Sequence, residues 1–430
     1  MHYRRAGRGP VLLMAHQSPR SSAEYEPLMR NWAEHFTCIA PDTPGFGQSD
    51  PVPGEAPDID AFADALVAFV DALGLGRVAA YGFHSGGIIL VTALKRHPQR
   101  FTALAVGGYA VWTPEEMAVF GERYIPPFRP SAYGEHLTWL WNRVLEQTWF
   151  FPWFAAEPQS RLTLAQDDPS HIDPTVQDML ASGDAYRAGY GAVLRAPRDI
   201  PPADAITPPV LITAYDGDPL QAHIDRLGAM PSGWAAAKVT TSGEHEARSL
   251  AFLLDYPAPP PGELAAAPDE GFVEVAGHSI HWRGRPGDAL VLHAPGESLE
   301  LVDTPGLAID LPGHGLSGAW DGSDFPTLVA AIAEHFGCAH VTLPPAPRGD
   351  PEQLFPSLAP DRFGAYLTRA WAIARARHLF APWYEARAAT ALPFAPEQLN
   401  PERLAIEHRA LLRATAARGW CEALQAMERH

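Results

Sequence analysis

One stretch constrains this chain more than any other: Ala80-Tyr81-Gly82-Phe83-His84-Ser85-Gly86-Gly87-Ile88-Ile89-Leu90. An apolar, β-prone run, Val78 to Tyr81, leads into a glycine-bearing turn, and a helix-compatible run from Ile88 to Lys95 ends near His97-Pro98. Strand, sharp turn and helix in that order hold one side chain at the tip of a turn that closes only when the residues two before and two after it are small. The tip then faces the positive end of the helix dipole and free backbone N–H groups, which favour a developing oxyanion. Two registers compete. With His84 at the tip the flanking residues are Gly82 and Gly86; with Ser85 there they are Phe83 and Gly87. The second supplies the conventional hydroxyl nucleophile but puts a bulky ring where the turn needs none. Turn sterics favour His84, with Ser85 immediately behind it.

The 430 residues suffice for two domains, and a hydrophobic share of 47% supplies their cores. A formal charge of -18 argues against nucleic acid and anionic membrane surfaces as partners. Lys95 and Lys238, the only lysines, sit in no reactive motif, so Schiff-base chemistry is not expected. Cys38, Cys338 and Cys421 are odd in number and far apart, which suits a reducing, cytoplasmic compartment. No secretory leader is expected at Met1-His2-Tyr3-Arg4-Arg5, nor a spanning helix. The richness in Ala, Arg and Pro resembles that of bacterial proteins from high-GC genomes.

Pro10–Ala15 reads as a buried strand, followed by His16-Gln17-Ser18-Pro19. Ser21 and Glu24 have capping-box spacing, which predicts a helix start. A second strand, Thr37–Ala40, runs into Asp42-Thr43-Pro44-Gly45-Phe46-Gly47-Gln48-Ser49. Helical spacing follows at Phe62, Leu66, Phe69, Val70 and Leu73, then the strand and turn described above, then a strand over Phe101–Val106. The His-x-x-Pro loop, the Asp-x-x-Pro-Gly-x-Gly-x-Ser turn, the Gly82–Gly86 elbow and His97-Pro98-x-Arg100-Phe101 come in a characteristic order. In them residues 1 to about 255 resemble the α/β-hydrolase superfamily, whose elbow tip is usually Ser, Asp or Cys; His84 is the departure.

The resemblance implies an α/β fold with a helical cap, and a site. The oxyanion hole falls to the N–H groups of Ser85 and Ser18, with the Gln17 side chain as a further donor; the alternative is that Gln17 and Ser18 merely satisfy loop backbone. The triad acid falls to Asp218, with Asp216 as alternative, after the strand Pro209–Ala214. The general base falls to His245, in a loop after a last strand at Lys238–Thr241. Residues 112–200 read as the cap. Its aromatics, Trp139, Trp141, Trp149, Phe150, Phe151 and Trp153, are mostly packing, and Trp141 and Trp149 are the candidates to face an apolar or aromatic substrate.

Tyr256–Gly262 opens a stiff, Pro-rich linker running to about residue 270. Residues 271–430 then echo the first half. Asp310-Leu311-Pro312-Gly313-His314-Gly315-Leu316-Ser317 repeats the turn at Asp42. At a constant offset of 230, Gly134, Leu137, Thr138, Trp141, Phe150, Pro152 and Trp153 recur as Gly364, Leu367, Thr368, Trp371, Phe380, Pro382 and Trp383. About 32 residues that would hold an elbow, its helix and the next strand are missing after Val341-Thr342-Leu343, as are equivalents of Asp218 and His245. This predicts a truncated pseudo-domain forming an intramolecular pseudo-dimer, with a homodimer of whole chains as a further expectation.

Three functions follow. The first is a hydrolase acting on a small apolar or aromatic ester or related carbonyl substrate, with Asp218 orienting His245 and a nucleophile at the elbow. The second is a cofactor-free lyase, isomerase or C–C bond-cleaving enzyme in which His84 and His245 move protons. The third is a non-catalytic binding or assembly protein. No cofactor is implied, and the spacing of His16, His84 and His245 matches no metal motif.

Overall fold

Strands β2 (Val11–Ala15) and β3 (Thr37–Pro41) are buried at every residue, as continuous apolar runs demand when both faces of a parallel sheet are covered. The computed structural model describes residues 1–430 except 164, 198, 265, 266, 268, 286, 288, 304 and 430, and leaves the side chains of 121 and 122 undescribed. It divides into two compact units, one of Met1–Arg129 with Leu140–Ala265, the other of Pro130–Trp139 with Ala266–His430. The segment 130–139, expected inside the first domain's cap, groups with the second unit.

Among the described residues the first unit holds a seven-stranded sheet. With β1 (Tyr3–Ala6), β4 (Val78–Phe83), β5 (Phe101–Gly107), β6 (Val210–Tyr215) and β7 (Trp234–Val239), the order is β1-β3-β2-β4-β5-β6-β7. Only β1 is antiparallel to its neighbour. The last strand lies earlier than the expected Lys238–Thr241. The strand order reverses between β2 and β4, so their carboxyl ends open a crevice where parallel sheets bind ligands. The helices Ile59–Ala72 and Ser85–Arg96 pack together, the latter also against β2, β4 and β5, and Ser242–Asp255 packs on β5 and β6. Helices Pro114–Tyr124, Pro169–Ser182 and Tyr186–Arg195 lie between β5 and β6 in the chain, as does Glu135–Gln147, whose first turn falls in the second unit.

The helix expected at Ser21 opens instead as a 3-10 turn, Ser22–Tyr25, before Glu26–Trp32. The capping box does not form because the Glu24 carboxylate is taken up by Gln17, accepting its backbone N–H at 2.7 Å and one N–H of its side-chain amide at 3.1 Å.

In the second unit β8 (Glu270–Val275), β9 (His278–Arg283), β10 (Ala289–Leu292), β11 (Leu307–Ile309) and β12 (His340–Thr342) form a sheet of order β12-β10-β11-β9-β8. Its core joins Ile280, Leu290, Leu307, Ile309, Phe325, Ile332 and Trp420. Among the described residues no helix is long and apolar enough to cross a membrane.

Candidate active site

The turn after β4 closes with His84 at its tip. His84 has φ 47° and ψ -113° at the N-terminus of Ser85–Arg96, a conformation that costs a non-glycine residue energy and holds only where the surroundings enforce it. The flanking glycines enforce it. A Cβ on Gly82 would lie 2.7 Å from Leu90 Cδ1 and 2.9 Å from the Gly86 carbonyl carbon, and one on Gly86 would lie 1.9 Å from the Ala15 carbonyl oxygen. The loop after β2 therefore sits directly on the first turn of this helix.

The imidazole of His84 stacks on Phe83, ring centroids 4.2 Å apart, and its Nε2 lies 3.1 and 3.2 Å from the two carboxylate oxygens of Asp218. A nitrogen facing a carboxylate carries the proton, so Nε2–H donates to Asp218 and Nδ1 keeps its lone pair. Nδ1 has no hydrogen-bond partner among the described residues. Burial by itself would raise the pKa of Asp218, but the adjacent His84, by charge and hydrogen bond, and the Leu220 N–H at 2.8 Å hold it below the ordinary value.

The expected pairing of Asp218 with His245 does not form. His245 lies in the first turn of Ser242–Asp255, not in a loop, because the helix starts directly behind β7 with the Thr241 hydroxyl capping the Glu244 N–H at 3.0 Å. Its side chain is 2% exposed, with Nδ1 2.6 Å from Thr213 Oγ1 and Nε2 2.8 Å from the Tyr81 hydroxyl. The Phe83 ring packs against both imidazoles, stacked on His84 and edge-on to His245. Burial pushes the His245 pKa down to about 4, against the opposing charge of Asp218, so it is neutral at pH 7.

Ser85 is not bonded to a base. Its Oγ accepts the Ser18 N–H at 2.5 Å and donates to Ser18 Oγ at 3.1 Å. The two residues expected to form the oxyanion hole are thus together. Gln17 is not with them, because its backbone N–H and its side-chain amide turn to Glu24.

Ser18, His84, Ser85, Ile88, Pro219 and Leu220 line a pocket with about 500 Å³ of empty space, its open mouth included. The walls are Trp112, Phe120, Tyr124, Phe151 and Tyr190. Trp141 and Trp149, expected there, are elsewhere: Trp141 is 1% exposed in packing, and Trp149 spends its indole N–H on the Gln166 carbonyl at 2.6 Å. The wall residues that sequence reasoning missed had a signal. Trp112 follows the carboxyl end of β5, and Phe120 and Tyr124 share a helix face by their four-residue spacing. Among the described residues no group of three His, Cys, Asp or Glu side chains is arranged to hold a metal.

Residues 10–228 match a family model described as alpha/beta hydrolase fold. Haloalkane dehalogenase 2 of Mycobacterium tuberculosis is 32% identical over 134 residues, 31% of this chain and 47% of that protein. A haloalkane dehalogenase of Mesorhizobium japonicum is 30% identical over 235 residues, 50% of this chain and 66% of that protein. The 2-(acetamidomethylene)succinate hydrolase of the same organism is 33% identical over 98 residues, 23% of this chain and 35% of that protein. The chain spans about half the length of the first of these relatives.

Proposed function

The chain belongs to the alpha/beta hydrolase fold family, and from that premise we propose that it is a hydrolase of a small apolar or aromatic ester or related carbonyl substrate, worked by a His84–Asp218 dyad at the elbow. The observation that carries this reading is the bond from the tip imidazole to Asp218, which leaves Nδ1 as a base over an apolar pocket. In the proposed reaction Asp218 fixes the tautomer and stabilises the imidazolium, while His84 Nδ1 takes a proton from the attacking water. The Ser85 N–H, at the helix N-terminus, and the Ser18 N–H and hydroxyl face the oxygen on which charge develops. The Ser18 N–H becomes available when the substrate oxygen displaces Ser85 Oγ from it.

The test is turnover of small aromatic esters by the whole chain. H84Q and D218N are expected to lower kcat by about 10²–10⁴-fold and S85A by less than about tenfold. A fluorophosphonate should leave Ser85 unlabelled. Labelling of Ser85, with loss of activity in S85A, would refute the dyad.

A second reading, a cofactor-free lyase or isomerase, is favoured by Ser85 Oγ being bonded to Ser18 and, among the described residues, to no base. It uses the same His84 base, with the substrate's own carbon acid in place of water. His245 takes no part in either, being buried and committed to Thr213 and Tyr81.

We also propose that the second unit is a truncated copy of the first. Supporting this, β9, β11, β10 and β12 pair in the order and directions of β1, β3, β2 and β4. His281 Nδ1 lies 2.8 Å from Asp310 as His2 Nδ1 lies 2.9 Å from Asp42. The antiparallel bridge Phe150–Arg161 recurs as Phe380–Ala391, again 230 residues on. The duplication is what supports the proposed intramolecular pseudo-dimer. Its mass in solution tests whether whole chains also pair.

A further inference from the structure

Among the described residues, Arg143 is a buried cation that meets no anion. It lies on the helix Glu135–Gln147 and is 2% exposed. Its Nη1 donates to the Gln147 side-chain oxygen, and its guanidinium carbon sits 5.4 Å from the centre of the Trp153 ring. Its Nε and Nη2 have no hydrogen-bond partner among the described residues. Those two nitrogens form one edge of the guanidinium, the edge that binds a carboxylate through two parallel hydrogen bonds. Among the described residues no carboxylate meets it.

An arginine cannot shed its proton to escape such a site, and burying the charge unpaired is costly. Elsewhere this chain avoids that cost. Arg20 meets Asp178 at 2.7 Å, and Arg226 meets Glu116 at 2.7 Å. Arg100 Nε also lacks a partner, but its Nη2 meets Asp71 and the Leu75 carbonyl. In the second unit the half-buried Arg377 feels the charges of Glu297 and Glu407. Packing does not require a cation at position 143 either. The residue 230 positions on is Ile373, itself 2% exposed on the helix Ala365–Arg377.

The surroundings of Arg143 lead to the pocket. The Trp153 ring beneath its guanidinium donates its indole N–H to the Tyr124 carbonyl at 3.2 Å. Tyr124 and Tyr190 line the pocket, and the Tyr190 hydroxyl donates to that of Tyr124 at 3.2 Å. The Tyr124 O–H proton has no acceptor among the described residues. The Arg143 charge acts on both phenols, offsetting part of the rise that burial causes in their pKa values. Unspent donors therefore remain on Tyr124, which is part of the pocket lining, and on Arg143, which is not part of that lining but acts on Tyr124 and Tyr190 through its charge.

We infer that Arg143, with the Tyr124–Tyr190 hydroxyl pair, is a carboxylate-binding subsite, and that the pocket takes a small apolar or aromatic acid rather than a neutral molecule. The inference rests on the reading of this pocket as the substrate site, and it deepens that reading by giving the substrate a charge.

The test is binding, which is separable from turnover. The whole chain is titrated at neutral pH with phenylacetate, with phenylacetamide as its neutral near-isostere, and with inorganic phosphate, by calorimetry and thermal shift. Phenylacetate is expected to bind at least about tenfold more tightly than the amide, and R143M to lose that preference. R143M without ligand should melt no lower than the wild type, because an unpaired buried charge gives way to an apolar chain of similar length. The Y124F chain keeps the guanidinium and should lose only part of the preference. Equal binding of acid and amide by the wild type would overturn the inference, as would undiminished acid binding by R143M. Phosphate binding above that of phenylacetate would overturn the carboxylate assignment, and an R143M chain that fails to fold would make Arg143 structural. Acid-selective binding without any turnover would sink the proposed hydrolysis and leave the subsite standing; turnover of neutral esters with no acid preference would do the reverse.

Discussion

Replacing His245 by glutamine separates the site seen here from the one that family resemblance implies. A buried imidazole whose pKa is depressed to about 4, against an ordinary value of 6.5, makes the folded state resist a proton that the unfolded state accepts. Stability therefore rises with pH across that window. The contribution is negligible above pH 7, falls as pH drops through 6.5, and levels off below 4. The 2.5-unit gap is worth about 3 kcal/mol in full, of which about 2 kcal/mol is lost by pH 5. In H245Q the amide can still meet Thr213 Oγ1 and the Tyr81 hydroxyl but cannot titrate. Urea midpoints at pH 7.5 and pH 5, read on the transition that the variant shifts, should show the wild type losing about 2 kcal/mol more than H245Q. Other imidazoles whose pKa values burial lowers, His136, His314 and His408 among them, affect both proteins alike and cancel in the difference. Turnover, once a substrate is in hand, should stay within about tenfold of wild type, because His245 is not among the residues lining the pocket. Parallel pH profiles for the two proteins, or a thousandfold loss of turnover in H245Q, would refute the reasoning and return His245 to the role of base.

Two further outcomes follow from packing. Gly86→Ala would drive a methyl into the Ala15 carbonyl oxygen, 1.9 Å from the ideal Cβ, so it should cost about 3 kcal/mol or more by denaturant melt, whereas Gly243→Ala, with its nearest neighbour at 3.9 Å, should be close to neutral. A chain stopped after Gly262 strips Pro130–Trp139 of its partners, including the Trp371 indole that donates to the Ala132 carbonyl at 3.3 Å. Amides of 130–139 should then exchange fast and the fragment should bind a hydrophobic dye, and unchanged protection there would show that the segment belongs with the first unit.

What the sequence disclosed was whatever rests on backbone sterics. Gly82 and Gly86 permit one closure of the turn after β4, and that closure puts His84 at the tip. Continuous apolar runs gave β2, β4, β5 and β6 nearly to the residue, because a strand buried on both faces tolerates nothing else. What stayed hidden was the direction of side chains. Whether His245 enters the site or the core turns on where the last helix begins, and one turn of helix decides it. A signal was present: Thr241 and Glu244 have the spacing of a helix N-cap, which places His245 inside the first turn and not ahead of it. Trp141 and Trp149 misled for a related reason, since a crowd of aromatics does not say which of them faces inward.

The position of Asp218 argues that these departures are coupled. Asp218 stands after β6, where the family resemblance puts a triad acid, and it still holds an imidazole. That imidazole now comes from β4 and not from the segment after β7. Once His84 occupies the tip, Nε2–H satisfies the carboxylate, and no donor from His245 is needed there. The displaced position is then free to face inward, where a neutral imidazole joins Thr213 to Tyr81 beneath the sheet's end. Restoring a serine at the tip would therefore not by itself restore a serine triad. H84S would leave Asp218 without its imidazole partner, with burial no longer opposed and its pKa rising, and would leave the new hydroxyl without a base. It should be inactive by any acyl-enzyme route unless the helix start at Ser242 is also moved, and an H84S chain that reacts with fluorophosphonate at position 84 would refute the coupling.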